Sequence, residues 1–206
     1  MSGTIYIISA PSGAGKTTLV NNLLAHVNHI KPSISYTTRP PRQGEVTGRD
    51  YHFIDRELFK SMQNSDAFIE SAEVFGNYYG TAKAEMASML MSDDVVLEID
   101  WQGAEQVRHH TVFDLVSIYI VPPSLDSLAS RLTARSSESN SQIQTRLKQA
   151  SSDLSHCHHY DYIVINDDFD VAAEELKSIV LAHRCSKRHY SDMIKQLINT
   201  KKLEKD

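Results

Sequence analysis

The residues best suited to chemistry lie near the start of the chain, where a glycine-rich run ends in Gly15, Lys16 and Thr17. Glycines let the backbone curl so that successive N–H groups face an anion, and a following helix adds the positive end of its dipole. A lysine here reaches the β- and γ-phosphates of a nucleoside triphosphate, and the next hydroxyl ligates Mg²⁺. The run therefore predicts a triphosphate site formed by Ser12, Gly13, Ala14, Gly15, Lys16, Thr17 and Thr18, with Thr17 as the magnesium ligand.

The flanking elements fit this interpretation. Residues Thr4 to Ile8 are β-branched and aromatic, which is typical of a buried strand, and Leu19 to Leu24 have helical spacing. The motif departs from G-x-x-x-x-G-K-[ST] at one position, since Ala10 replaces the first glycine. The alternative is a glycine-rich turn with a chance lysine, and the strand before it and the helix after it disfavour that alternative.

A second group of candidate phosphate ligands follows a predicted strand from Lys31 to Thr38. Two prolines stiffen the loop from Arg39 to Glu45, so that Arg39 and Arg42 are held beside serine and threonine hydroxyls. Guanidinium groups and hydroxyls are the donors that bind a phosphate monoester. A solvated basic loop is the alternative, and the loop by itself does not distinguish the two.

Acidic residues end a third apolar run, Val95 to Leu97, which is followed by Glu98 and Asp100. Strands of a parallel sheet present their carboxyl ends to the ligand crevice, so these acids are in the Walker B position near Mg²⁺. The alternative is a strand that simply ends in solvent.

Three arginines bracket a polar stretch further along the chain. Arg131 and Arg135 are one helical turn apart, Ser136 to Ser141 are polar, and Arg146 belongs to the next predicted helix. A polar segment flanked by arginines suits a lid that excludes water and places positive charge at a transferring phosphoryl group. An exposed helical hairpin is the alternative.

The order of elements predicts an α/β fold: a parallel P-loop sheet flanked by helices, an inserted mixed-β substrate-binding region and a helical lid. We expect a single domain whose core is residues 1–32, 82–134 and 151–206. The inserted region would be 33–81 and the lid 135–150. Within the insertion, Gly76 to Thr81 is predicted to be a turn because it is rich in glycine and aromatic residues.

Bulk properties bound the function. The 206 residues carry a formal charge of −5, which gives no global nucleic-acid footprint. The two cysteines form no CxxC pair, and there is no leader or membrane-spanning run, so we expect a cytoplasmic protein that binds no membrane. The sequence His156-Cys157-His158-His159 is too dense for four zinc ligands to converge, so we expect a helix end there.

Two phosphate sites predict phosphoryl transfer between two bound phosphates, which needs positioning, Mg²⁺ and charge neutralisation more than a catalytic base. The motifs together resemble those of a known family. The stretches APSGAGKTT, SYTTRPPRQGE, GRDYHF, GNYYGT, LEIDWQGA, RLTAR and IVINDD, in this order, are similar to guanylate kinases of the bacterial type. The similarity extends from Gly3 to about Arg184.

The resemblance implies that MgATP and GMP give ADP and GDP in purine nucleotide metabolism, with dGMP as a further substrate. Lys16, Arg39, Arg131, Arg135 and Arg146 would be catalytic, and Asn166 would lie near the ATP adenine. Guanine would be read by Glu70, Thr81 and Asp100, since a carboxylate can accept from N1–H and N2–H together. The GMP phosphate would contact Ser35, Arg39, Arg42, Tyr51 and Tyr79.

Two other functions would use parts of the same set of motifs. A related phosphokinase of a ribose bisphosphate would need no base-reading pair, so Glu70 and Thr81 argue against it. A phosphopeptide-binding scaffold on the same fold would need no P-loop, and here Gly15, Lys16 and Thr17 are intact. The sequence leaves open whether the protein is a monomer or a homo-oligomer.

Overall fold

The computed structural model describes residues 3–74, 76–135, 140–186, 190, 194, 195, 197 and 198, with the backbone alone at 134, 135 and 140–143. The strands are β1 (Ile5–Ser9), β2 (Ile30–Pro32), β3 (Tyr36–Thr37), β4 (His52–Phe53), β5 (Phe68–Val74), β6 (Asn77–Ala82), β7 (Asp94–Leu97), β8 (Leu115–Val121) and β9 (Tyr162–Ile165). The helices are α1 (Lys16–His26), α2 (Arg56–Asn64), α3 (Lys83–Met89), α4 (Trp101–His110), α5 (Leu125–Arg135), α6 (Asn140–Leu154) and α7 (Phe169–Arg184).

A five-stranded parallel sheet forms the centre of the molecule, in the order β2-β7-β1-β8-β9. Its central strand β1 is buried on both faces: Tyr6 and Ile8 belong to one hydrophobic cluster, and Ile5 and Ile7 belong to another. Helices cover both faces, as strands that are apolar throughout require. This architecture confirms the predicted α/β class with a parallel sheet flanked by helices.

A second, mixed sheet has the order β4-β3-β6-β5. Strands β3 and β4 are parallel, whereas β6 pairs antiparallel with both β3 and β5. In the chain, the strands of this sheet come between β2 and α3. It is the observed form of the predicted mixed-β insertion.

The single strand predicted from Lys31 to Thr38 is wrong. Strand β2 is at the edge of the parallel sheet and ends at Pro32, which has no N–H to continue a ladder. The Ser33 N–H still donates to the Val96 carbonyl (2.9 Å), and the chain then leaves for β3 in the other sheet.

The turn predicted over Gly76 to Thr81 is also wrong, because most of that stretch is strand β6. Only Gly76 has the positive φ (76°) of a turn residue. Gly80 lies within the strand, where a Cβ would come 3.1 Å from the Phe68 ring. Glycine there reflects close packing against an aromatic ring, and composition alone did not distinguish that from a turn.

Side-chain caps begin four of the described helices, and these are α2, α4, α5 and α7. Asp55 accepts from the Leu58 N–H at the start of α2, and Ser124 accepts from the Ser127 N–H at the start of α5. The predicted lid lies partly outside the described residues, which omit 136–139. None of the described helices has the length and apolar character needed to span a membrane.

Candidate active site

A cleft of about 710 Å³ lies where the carboxyl ends of the parallel strands face the mixed sheet. Ligands of open α/β sheets bind at this edge because the loops there can vary without disturbing the strands. The cleft brings together predicted residues from distant parts of the sequence. Those that line it are Ser12, Lys16, Thr17, Ser35, Tyr51, Glu70, Tyr79, Glu98 and Asp100.

The loop between β1 and α1 has the backbone of a phosphate site. Gly13 and Gly15 have φ values of 91° and 95°, which side chains with a Cβ rarely adopt. Gly15 precedes the first residue of α1 and supplies no capping side chain. The first N–H groups of α1 are thus left for a ligand, and an anion suits them.

Lys16 begins α1 at the base of the cleft. Burial lowers the pKa of its ammonium, and the carboxylates of Glu98 and Asp100 partly oppose that effect. Both carboxylates also line the cleft, directly after β7. The structure therefore brings together the lysine and the acids that the sequence had predicted separately.

The phosphate loop is held from the end of β9. The Asn166 side-chain amide donates to the Ala14 carbonyl (2.7 Å), and Asn166 is buried. Arg131 donates through Nη2 to the Asn166 carbonyl (2.8 Å). Asn166, which the resemblance places near adenine, thus contacts the loop itself in the described conformation.

Packing against α5 fixes the same loop from another side. A Cβ at Gly13 would come 2.8 Å from Leu132 Cδ2, so a side chain there would displace the loop. Two of the three predicted lid arginines have described side chains, Arg131 and Arg146, and neither lines the cleft. Arg135 ends α5, and its side chain lies outside the described residues.

Glu45, which sequence reasoning did not assign, organises the loop of the predicted phosphate ligands. Its carboxylate accepts from Arg39 Nη2 (2.8 Å) and from the Arg42 N–H (2.7 Å). The Glu45 carboxylate raises the pKa of Arg39, and Arg39 in turn lowers the pKa of Glu45. An acid three residues after Arg42 was the available signal, since it can close a turn onto its own loop.

The Arg39 side chain packs on two aromatic rings, one of them Tyr51, which lines the cleft. The guanidinium carbon lies 5.4 Å from the centre of the Tyr51 ring and 5.7 Å from that of Phe53. Tyr51 meets Tyr79 edge to face, with ring centres 6.0 Å apart. Burial raises the pKa of the Tyr51 hydroxyl.

Glu70 is the most deeply buried carboxylate that lines the cleft, with 4% of its surface exposed. Thr81 donates to its Oε1 (2.6 Å), and Thr81 also lies 3.4 Å from the Ser35 hydroxyl. Burial raises the pKa of Glu70 to about 7; the Thr81 hydrogen bond opposes the rise and nearby Asp100 adds to it. Burial has removed the water that would hydrogen-bond this carboxylate, so donors from a ligand would stabilise its charged form.

Asp100 caps helix α4 as well as lining the cleft. Its Oδ1 accepts from the Gly103 N–H (2.9 Å) at the first turn of the helix. Gly103 also leaves room for the neighbouring acid, since a Cβ there would come 2.9 Å from Glu70 Oε2. Glu70 and Asp100 are therefore supported from the same end of α4.

Arg49, to which the sequence assigned no role, lines the cleft and forms a salt bridge with Asp50 (2.8 Å).

The histidine-rich segment packs against α4, because the imidazole of His156 stacks on Trp101 with ring centres 3.7 Å apart. In the described parts of the chain, no group of three or more His, Cys, Asp and Glu side chains is arranged to hold a metal.

A second depression of about 700 Å³ lies between β9 and α7. Its described lining residues include no lysine or arginine but do include three acids, Asp170, Glu174 and Glu175. Such a surface repels phosphates, which disfavours this depression as a nucleotide site.

The chain is similar to known proteins over most of its length. A family model described as guanylate kinase matches residues 2–183. A guanylate kinase of Legionella pneumophila (strain Paris) is 52% identical over 184 residues, which cover 89% of this chain and 88% of that protein. One of Hydrogenovibrio crunogenus is 48% identical over 202 residues, covering 96% and 98%. The crystal structure of guanylate kinase from Anaplasma phagocytophilum has a TM-score of 0.71 at 37% identity, covering 90% and 88%.

Proposed function

This chain belongs to the guanylate kinase family, and we propose on that premise that its cleft transfers the γ-phosphoryl group of ATP to GMP, giving ADP and GDP. It is a nucleotide-binding phosphotransferase. The observation that carries the proposal for this particular cleft is one pairing. A buried carboxylate, Glu70, and a buried hydroxyl, Thr81, line or adjoin the same cleft as the phosphate-loop lysine, Lys16.

The Glu70–Thr81 pair matches the edge of guanine. Guanine presents N1–H and N2–H donors to a carboxylate and an O6 acceptor to a hydroxyl. The Thr81 hydroxyl now donates its one proton to Glu70. When guanine donates to Glu70 instead, that proton becomes available for O6. Asp100, close to Glu70, is the third proposed guanine contact.

The proposed phosphate ligands of GMP are on the mixed sheet and its loops. Arg39 supplies a guanidinium that Glu45 binds and that lies near the Tyr51 and Phe53 rings, and Arg42 belongs to the same loop. Hydroxyls suited to the remaining phosphate oxygens come from Ser35, Tyr51 and Tyr79, which all line the cleft. Arginine and hydroxyl donors of this kind bind a phosphate dianion strongly.

The proposed donor half is the loop from Ser12 to Thr18, with Lys16 against the triphosphate. Magnesium prefers oxygen ligands, and the side chains of Thr17, Glu98 and Asp100, which line the cleft, all carry oxygen. When bound with ATP, Mg²⁺ neutralises charge on the phosphates. The proposed roles of Arg131, Arg135 and Arg146 are to neutralise the rest as the lid closes, and Asn166 supports the loop that holds ATP.

We also propose how the chain divides into functional regions. Residues 33–81 form the GMP-binding region, 135–150 the lid, and 1–32, 82–134 and 151–206 the core of a single domain. The proposed contacts read the base and the phosphate of the acceptor, so we expect dGMP to be phosphorylated as well.

A screen of nucleoside monophosphates with MgATP, measured as ADP release, tests the proposal. We expect GMP to be used at least a hundredfold better than AMP, CMP or UMP, because adenine leaves the Glu70 carboxylate without its two donors. Lys16→Ala should lower turnover by roughly a hundredfold or more in the same assay. The exposed, ion-paired Lys83 provides a control in Lys83→Ala. Similar rates with GMP and AMP, or undiminished turnover by Lys16→Ala, would contradict the proposal.

A further inference from the structure

The edge of strand β5 has an unusual partner. Strand β5 is the last strand of the mixed sheet, and among the described strands it pairs only with β6. On its other side, Gln106 of α4 accepts from the Ser71 N–H and donates to the Ser71 carbonyl, both at 3.0 Å. One side-chain amide thus takes both positions that a neighbouring strand's peptide groups would take.

We propose that Gln106 is a positioning residue for guanine recognition: by fixing the Ser71 peptide group it aims the adjacent Glu70 carboxylate at the base. This inference rests on the proposed function, since it concerns how the same cleft reads GMP. Gln106 itself does not line the cleft, so its effect must pass through the backbone of β5.

The backbone of β5 needs such support where Glu70 leaves it. The pairing with β6 shifts register between Phe68 and Glu70, and residues 68, 69 and 70 are all buried instead of alternating. A bulge of this kind redirects a side chain and weakens the local ladder. The hydrogen bonds from Gln106 reach β5 at Ser71, one residue after Glu70, where the pairing with β6 resumes.

Helix α4 is a suitable platform for this task. Its first turn is fixed by the cap from Asp100 to Gly103, and Gly103 leaves the space that Glu70 Oε2 occupies. Gln106 is one turn further along the same helix, on the side that faces β5. The helix therefore sets the position of Asp100 directly and that of Glu70 through Ser71.

The chain offers a matched control, because a second glutamine also contacts Ser71. Gln63 Nε2 donates to the Ser71 hydroxyl (3.0 Å), but Gln63 is exposed and leaves the Ser71 peptide group untouched. Gln106→Met keeps the volume of the side chain and removes both hydrogen bonds to the Ser71 peptide group. Gln106→Ala removes volume as well, so agreement between the two variants isolates the hydrogen bonds.

The readout is the ratio of kcat/KM for GMP to kcat/KM for IMP, measured with the full-length enzyme and saturating MgATP. IMP lacks the N2 amino group, so the ratio reports how well Glu70 accepts from both guanine donors. We expect both Gln106 variants to lower this ratio roughly tenfold, mainly through a higher KM for GMP, because small misplacements of a recognising group are costly. The KM for ATP should stay unchanged, and Gln63→Ala should match the wild type.

Two results would overturn the inference. One is an unchanged GMP to IMP ratio in both Gln106 variants. The other is an equal loss with GMP, IMP and ATP that follows a lower unfolding temperature, because a purely structural role predicts that pattern. Wild-type enzyme that fails to prefer GMP would instead overturn the proposed function, so the two failures are distinguishable.

Discussion

At the scale of single residues, Glu70 combines recognition with a titration in the neutral range. Its pKa of about 7 follows from burial, and the same burial removes the water that would otherwise compete with guanine. The proton must be absent for the carboxylate to accept from both N1–H and N2–H. Binding of GMP should therefore depend on pH in a window where most carboxylates are fully ionised.

We expect kcat/KM for GMP to fall as the pH falls through 7, since this parameter reports ionisation in the free enzyme. With the pKa of Glu70 at about 7, the ionised fraction drops roughly tenfold between pH 8 and pH 6. The measurement is a pH series at saturating MgATP.

Glu70→Gln supplies the control for that series. The second ionisation of the GMP phosphate, near pH 6, affects both proteins alike. The wild-type profile should therefore be steeper than that of the variant between pH 8 and pH 6. Parallel profiles would mean that Glu70 does not titrate in this range.

At the scale of elements, β9 and the phosphate loop act as one unit through Asn166. Its amide holds the Ala14 carbonyl, its own carbonyl accepts from Arg131, and its N–H donates to the Val121 carbonyl (2.8 Å). A buried amide with these bonds fixes the loop against the end of the sheet. Loss of one such bond leaves the Ala14 carbonyl without a partner and costs about 1–3 kcal/mol.

Asn166→Ala should raise the KM for ATP roughly tenfold, by displacing the phosphate loop, and leave the KM for GMP unchanged. The informative comparison is between ATP and GTP as donors. Support of the loop predicts equal losses with both donors, whereas an adenine contact predicts a larger loss with ATP. Asn64→Ala, at the exposed end of α2, is a control that should match the wild type.

At the scale of the whole molecule, the cleft between the two sheets requires a buried acid and so reduces stability. The pKa of Glu70 rises from 4.5 to about 7 on folding, so the folded protein binds the extra proton between these values. Stability from this group is therefore greatest below pH 4.5 and is lost as the pH rises through 7. The full penalty above pH 7 is about 3 kcal/mol as an upper limit.

Removing the charge should therefore stabilise the protein at high pH. We expect Glu70→Gln to raise the unfolding temperature by several degrees at pH 8 and by less at pH 5, measured by thermal denaturation. Glu73→Gln changes an exposed glutamate of the same strand and should show no such pH-dependent gain. A gain that is equal at both pH values would show that the titration of Glu70 is not its cause.

The sequence by itself determined the parallel sheet, the helices and the phosphate loop. Their signals are local. They are an apolar run for β1, helical spacing after Lys16, and glycines at the two positions of the phosphate loop that have positive φ, Gly13 and Gly15. Motifs of this kind depend on neighbours in the chain, so they could be interpreted without a tertiary structure.

Only the tertiary structure decided how the acceptor half is held together. Whether Gly80 lies in a turn or a strand depended on the Phe68 ring, and the partner of the Ser71 peptide group is a glutamine 35 residues away. The pKa of Glu70 likewise depends on burial and on Asp100, 30 positions along the chain. Contacts over such separations leave no periodicity in the sequence, because they are made by packing between elements and not by the order of residues within one.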